Sequence, residues 1–202
     1  VFIDSDEDTW TMSPKALEKA FKSAAAKGKL PKAVIVVNLY GQSCDMDKII
    51  DIASSYGVPV VEDAAESLGS TYKSKKSGTL GKFGIYSFNG NKIITTSGGG
   101  MLVSDDEKLI GKARFFATQS REPARHYQHK KIGYNYRMSN IVAGIGRAQM
   151  QVLDARVERK KEIFKRYKKN LSGLDGLSFM EDAPYGESNK WLTVIRLNQT
   201  EC

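Results

Sequence analysis

Four short apolar runs, each leading into polar residues, constrain the fold more than anything else in the chain. AVIVVN at residues 33–38 is continuous and β-branched, the pattern of a strand buried on both faces of a parallel sheet. VPVVED at 58–63 reads as a second strand, with Pro59 disfavouring its first residues. FGIYSF at 83–88 and MLVS at 101–104 read as two more. Between these runs the apolar period changes from strand to helix. Ser13 and Pro14 supply an N-cap and a first-turn proline for a helix that Gly28 closes. Residues 45–56 place Met46, Ile49, Ile50 and Ala53 on one face ahead of Gly57, and residues 107–116 are also expected to be helical. Strands alternating with helices predict an α/β fold, a mostly parallel sheet flanked by helices on both faces. Residues 1–4 read as the end of one further strand.

After Ser139, an expected N-cap, the pattern turns helical as far as Leu171. Leu153, Val157, Phe164, Tyr167 and Leu171 share a stripe, which leaves the lysines and arginines of that stretch on the opposite face. WLTVIRL at 191–197 is strand-like. The expected organisation is a large α/β domain over residues 1–138, then a helical connection and the beginning of a smaller α+β domain over 139–202.

Ligands of open parallel sheets bind outside the carboxyl ends of the strands. Here the first strand runs into Asn38-Leu39-Tyr40-Gly41-Gln42, the second into Glu62-Asp63-Ala64-Ala65-Glu66, and the third into Ser87-Phe88-Asn89-Gly90-Asn91-Lys92. Amine, carboxylate and hydroxyl groups therefore gather on one edge, the set that pyridoxal phosphate (PLP) requires. Lys92 would hold the cofactor and carry protons, Asp63 would face its ring nitrogen, and Ser87 would donate to its phosphate. Taken singly, the lysine reads as a surface charge and the aspartate as a strand-end turn former or helix cap. Gly98-Gly99-Gly100 reads equally as a flexible turn, since no G-x-G-x-x-G follows.

The formal net charge of +8 raises a nucleic-acid reading, but much of the excess lies between Arg156 and Lys169, on the solvated face of the striped helix. A basic surface also suits an anionic nucleotide substrate. No apolar run reaches the roughly 18–20 residues of a membrane span, and the acidic start VFIDSDEDTW is unlike a signal peptide. Cys44 and Cys202 make no disulfide framework and point to a reducing, cytoplasmic setting. His126 and His129 have no cysteine nearby in sequence and no carboxylate triad to complete a metal site, so none is expected.

The strings VFIDSDEDTWTMSP, NLYGQSCDMDKI, VPVVEDAAESLGS, FGIYSFNGNKIITTSGGGMLVS and IGYNYRMSNIVAGIGRAQ together resemble the DegT/DnrJ/EryC1/StrS family of PLP-dependent sugar-nucleotide aminotransferases. The resemblance implies a fold-type I PLP transferase with Lys92 as the Schiff-base lysine and Asp63 as the ring-nitrogen partner. It further implies Ser87 as a phosphate ligand, Glu66 as a polar neighbour of the cofactor, and Asn135 reaching the phosphate from the second subunit of a homodimer. Tyr134 and Arg137 would contribute to the sugar-nucleotide pocket. The stretch ATQSREPARHYQHKKIGYNYRMSN is most similar to enzymes that aminate C4 of a UDP-linked 4-keto-6-deoxy-N-acetylhexosamine with glutamate as donor, for bacillosamine-type glycan or exopolysaccharide synthesis. Lysine at position 92, where related dehydratases carry histidine, favours amino transfer. The resemblance also implies a longer parent chain, with a phosphate-binding loop before Val1 and more of the small domain after Cys202. A catalytically silent fragment or scaffold and, with no helix-turn-helix in view, a basic DNA-binding regulator are the competing readings.

Overall fold

The computed structural model describes residues 1–197; Cys202 and the four residues before it lie outside the described part. The central sheet has four strands, β1 (Val34–Val37), β2 (Val60–Asp63), β5 (Phe83–Ser87) and β6 (Gly100–Val103), in the order β1-β2-β5-β6. The first three are parallel and β6 is antiparallel to β5. Strand β2 starts one residue after Pro59, because proline has no N–H to give the ladder.

Helix α1 (Pro14–Ala26) begins at Ser13, whose side chain accepts from the Ala16 amide, and Gly28 follows its end at a φ of 62°. Helix α2 (Met46–Ser55) buries Met46, Ile49 and Ala53. Phe21 of α1 stacks on Tyr56 at 4.7 Å between ring centroids. With Leu17, Val34, Val36, Val58 and Val60 these side chains form the main core. Truncating a buried aromatic such as Phe21 to alanine costs about 3–5 kcal/mol.

The core lies against one face of β1 and β2. Val34 and Val36 are buried, but Ile35 is 61% and Val37 41% exposed, so β1 is not covered on both faces by the described residues. A continuous apolar run records only that both faces are apolar. Whether both are covered depends on what packs there. Beside this face lies a groove of about 580 Å³ whose walls include Phe2, Trp10, Phe21 and Ile35.

Three other expectations are corrected. Residues 1–4 form no strand; the nearest pairing is one bridge between Ser5 and Met12. The helical stretch after Ser139 is two helices, α4 (Asn140–Met150) and α5 (Leu153–Leu171), broken at Gln151 and Val152 with neither Gly nor Pro to announce it. Of WLTVIRL only Ile195–Leu197 is a strand, β9, paired antiparallel with β7 (Leu177–Phe179). Helix α3 (Glu107–Ala117) forms as expected, with Asp106 capping the Leu109 amide. Leu153, Val157 and Phe164 of α5 are buried while Tyr167 on the same stripe is 51% exposed.

A small second sheet ties the later residues to the earlier ones. Strand β3 (Thr71–Tyr72) pairs with β4 (Lys75–Lys76) across a turn whose Lys73 and Ser74 both have positive φ, and with β8 (Gly186–Glu187) on its other side. The chain beyond β8 thus returns to the segment that follows β2.

Candidate active site

The register sets Val37 beside Asp63 and Asp63 beside Ile85, so the carboxyl ends of β1, β2 and β5 lie nearly level. Strand alternation then separates two adjacent carboxylates. Glu62 points into the covered face and is fully buried, whereas Asp63 shares the open face with Val37 and Ile85 and is only half-buried.

Glu62 accepts from Asn38 Nδ2 at 2.9 Å, Gly78 N at 2.6 Å, Leu80 N at 3.0 Å and Gly81 N at 3.3 Å. Asn38 also donates to Ser77 Oγ, which Ser43 and Ser67 contact in turn. This buried network fastens the loop between β4 and β5 under the end of β2. A side chain at Gly78, where φ is 90°, would strike the Tyr86 ring, so the loop requires glycine there. Tyr86 donates to Ser77 O at 2.7 Å, and burial, with the nearby Glu62 charge, pushes its phenol pKa up.

On the open side, Asp63 Oδ1 accepts from Ala65 N at 3.1 Å. Ser87 lies two residues past Ile85, hence on the same face as Asp63, and its Oγ accepts from Asn89 N. The chain then turns, closed by Lys92 N to Asn89 O at 3.1 Å, and presents Lys92 with its side chain only 13% exposed. Its Nζ is 3.6 Å from Glu66 Oε1, and Glu66 Oε2 accepts from Tyr40 N at 2.7 Å. Tyr40 sits at a φ of 55°, in the left-handed region, within a 3-10 turn at Leu39–Gly41. That unusual backbone turns its amide toward Glu66. The loops after β1, β2 and β5 therefore converge on one amine.

The sequence pointed to Lys92, Glu66, Asp63 and Ser87, and the structure places all four at this edge, with Lys92 and Glu66 in contact. It does not bring Tyr134, Asn135 and Arg137 into the same cluster. They lie exposed on a ribbon beside the end of α3, where Tyr134 N donates to Phe116 O, Thr118 bridges to Asn135, and Tyr134 stacks on Tyr136. Met138, at the ribbon's end, packs close to Gly99 in the turn before β6.

Sequence reasoning missed two contributors. Trp191 places its ring centroid 4.4 Å from Lys92 Nζ and donates from Nε1 to Asn91 O at 2.9 Å. Asn189, fully buried, donates from Nδ2 to Glu66 O and Leu68 O. No local pattern could have found them, since their partners lie 99 to 123 residues earlier.

One end of the parallel sheet thus carries a shielded amine, Lys92, and a hydroxyl, Ser87, at the close of β5, with a half-buried carboxylate, Asp63, on the strand beside it. The chain belongs to the DegT/DnrJ/EryC1/StrS aminotransferase family, whose model matches residues 1–202. Members of this family are PLP-dependent. The chain is 65% identical over 198 residues to the putative pyridoxal phosphate-dependent aminotransferase EpsN of Bacillus subtilis, covering 98% of this chain and 51% of EpsN. It is 44% identical over 174 residues to GDP-perosamine synthase of Escherichia coli O157:H7, covering 86% and 46%. A crystal structure of a DegT/DnrJ/EryC1/StrS aminotransferase from Brucella abortus superposes with a TM-score of 0.90 at 28% identity, covering 98% of this chain and 53% of that one. The chain thus spans about half the length of the relatives it matches.

Proposed function

We propose that the full-length protein is a PLP-dependent sugar-nucleotide aminotransferase that moves an amino group from glutamate to C4 of a UDP-linked 4-keto-6-deoxy-N-acetylhexosamine, in surface glycan or exopolysaccharide synthesis. One observation carries the reading: the Lys92 amine stands shielded beside Glu66 at the edge that also bears Asp63 and Ser87. This donor set fits PLP, having an amine for its aldehyde, a carboxylate for its ring nitrogen and a hydroxyl for its phosphate. When bound, PLP supplies an electron sink for the carbon that loses a proton.

The chain's own residues do the rest. Lys92 Nζ would hold the cofactor and, as the shielded amine at this edge, would carry protons from the donor's Cα and to C4 of the sugar. Asp63 would hold the ring nitrogen and favour its protonated form through charge, and Ser87 Oγ would donate to the phosphate. Glu66 steers the Lys92 amine. Asn135 acts on the cofactor of the second subunit in a homodimer, a role consistent with its exposure here, while Tyr134 and Arg137 belong to the pocket for the nucleotide-linked sugar. The reading keeps residues 1–138 as the cofactor domain and 139–202 as the connection into a smaller one, in a cytoplasmic enzyme. No helix among the described residues is long and apolar enough to cross a membrane.

The identity to a GDP-perosamine synthase favours a GDP-linked keto-sugar as the second reading. Full-length enzyme mixed with glutamate and a panel of UDP- and GDP-linked 4-keto sugars separates the two. Aminated UDP-sugar with stoichiometric 2-oxoglutarate is expected. Turnover of the GDP-sugars alone moves the assignment to the second reading, and absence of PLP from the purified protein, with none taken up on addition, removes both.

A further inference from the structure

Lys92 is held by attraction rather than by a directed hydrogen bond. The 3.6 Å to Glu66 Oε1 is too long for one, and the second neighbour of the ammonium is the face of an indole ring. An aromatic face draws a cation through its quadrupole and cannot take its proton. An amine held in this way keeps its nitrogen free to attack a carbonyl once it is deprotonated.

The indole is itself fixed. Trp191 is 6% exposed, its Nε1 grips the carbonyl of Asn91, and its backbone amide donates to Asn189 Oδ1 at 2.8 Å. Asn189 in turn binds Glu66 O at 2.9 Å, Leu68 O at 2.8 Å and, through its amide, Ser70 Oγ at 2.9 Å. Its side chain fills the space left by Gly41, where any Cβ would collide with Asn189 Oδ1. Residues 188–191 thus form a strap holding both the loop that carries Glu66 and the turn that carries Lys92.

We propose that Trp191, anchored through Asn189, is the positioning residue for Lys92, setting where its amine stands for reaction with the cofactor aldehyde. The link to PLP rests on the function proposed above; the hold on the amine rests on this geometry alone. The shielding also predicts that an aldehyde other than the cofactor meets Lys92 slowly.

The test uses the full-length enzyme and its Trp191→Phe and Trp191→Leu variants. Phenylalanine keeps an aromatic face and loses the bond to Asn91; leucine loses both. With PLP removed, each protein is reductively methylated with formaldehyde and cyanoborohydride, and Lys92 and the exposed Lys73 are followed by peptide mass. Trp191→Leu is expected to raise the Lys92 rate about tenfold and Trp191→Phe about threefold, with the Lys73 rate unchanged. The dissociation constant for PLP should rise in the same order. In the reloaded enzymes kcat should fall while KM for the sugar stays within about twofold. An unchanged Lys92 rate in Trp191→Leu overturns the proposal, and so does a rise shared equally by Lys73, which would mark general loosening. If Trp191→Leu does not fold, a wild-type Lys92 rate in Trp191→Phe overturns it. Borohydride reduction of the loaded wild type keeps the two readings apart: an adduct on another lysine removes the assigned chemistry and leaves the methylation result standing.

Discussion

Glu62 and Asp63 are consecutive residues whose carboxylates never share an environment: one is fully buried among four donors beneath the sheet, the other half-exposed at its open edge. Strand alternation alone produces this division between support and chemistry. Substituting the two residues should therefore give opposite signatures. Glu62→Gln turns an amide N–H₂ toward donors and should cost about 2–4 kcal/mol in urea unfolding. Asp63→Asn retains an acceptor for Ala65 N and should change stability by less than about 1 kcal/mol. In the full-length enzyme it should weaken PLP binding and sharply lower kcat. Equal stability losses in the two variants would contradict the assignment.

Glu66 bears on the site through its charge. Glu66→Gln keeps an oxygen for Tyr40 N and loses the attraction for Lys92. The expectation is an unfolding free energy within about 1 kcal/mol of wild type and a kcat lowered about tenfold. Spectral titration with PLP and steady-state kinetics on the full-length protein provide the check.

Asn135 stands exposed and apart from Lys92, so in the proposed dimer its effect should appear in trans. Full-length Lys92→Ala and Asn135→Ala proteins, each inactive or nearly so, should regain up to about a quarter of wild-type activity per site when mixed and allowed to exchange subunits. No recovery after confirmed exchange would make each site self-contained.

Burial sets the alkaline limit of stability. The Cys44 thiol, fully buried and donating to Val37 O, is pushed from 9.0 up to about 12 by desolvation, and Tyr72 from 10.0 up to about 12 for the same reason. Both are acids whose folded pKa is raised, so the unfolded chain loses these protons first. Their contribution is complete below pH 9 and is lost as the pH rises toward 12. Urea midpoints should fall steadily across that interval, and less steeply in Cys44→Ala. Iodoacetamide at pH 8 should leave the Cys44 peptide unmodified until the protein unfolds.

What could be read in the sequence was whatever is written locally. The Ser13-Pro14 start and Gly28 stop of α1, the strand beginning just after Pro59 and the Ser139 cap all depend on residues within a few positions of one another. That Lys92, Asp63 and Ser87 gather at one edge was legible because the ends of parallel strands are already a place, and because their surrounding strings resemble a known family. What escaped notice depends on distant partners. Nothing near Trp191 distinguishes a strand residue from a lid on an amine, and nothing in AVIVVN tells how much of its second face is covered. The break between α4 and α5 at Gln151 and Val152 has no breaker residue, so only packing marks it.

The bond from Trp191 to Asn91 joins residues 100 positions apart. On a ribosome adding about 5–20 residues per second, that separation is roughly 5–20 s of synthesis. Throughout that interval Lys92 lacks the indole face that later covers it. The Lys92 amine is therefore born uncovered, and its aromatic cover is made well after it.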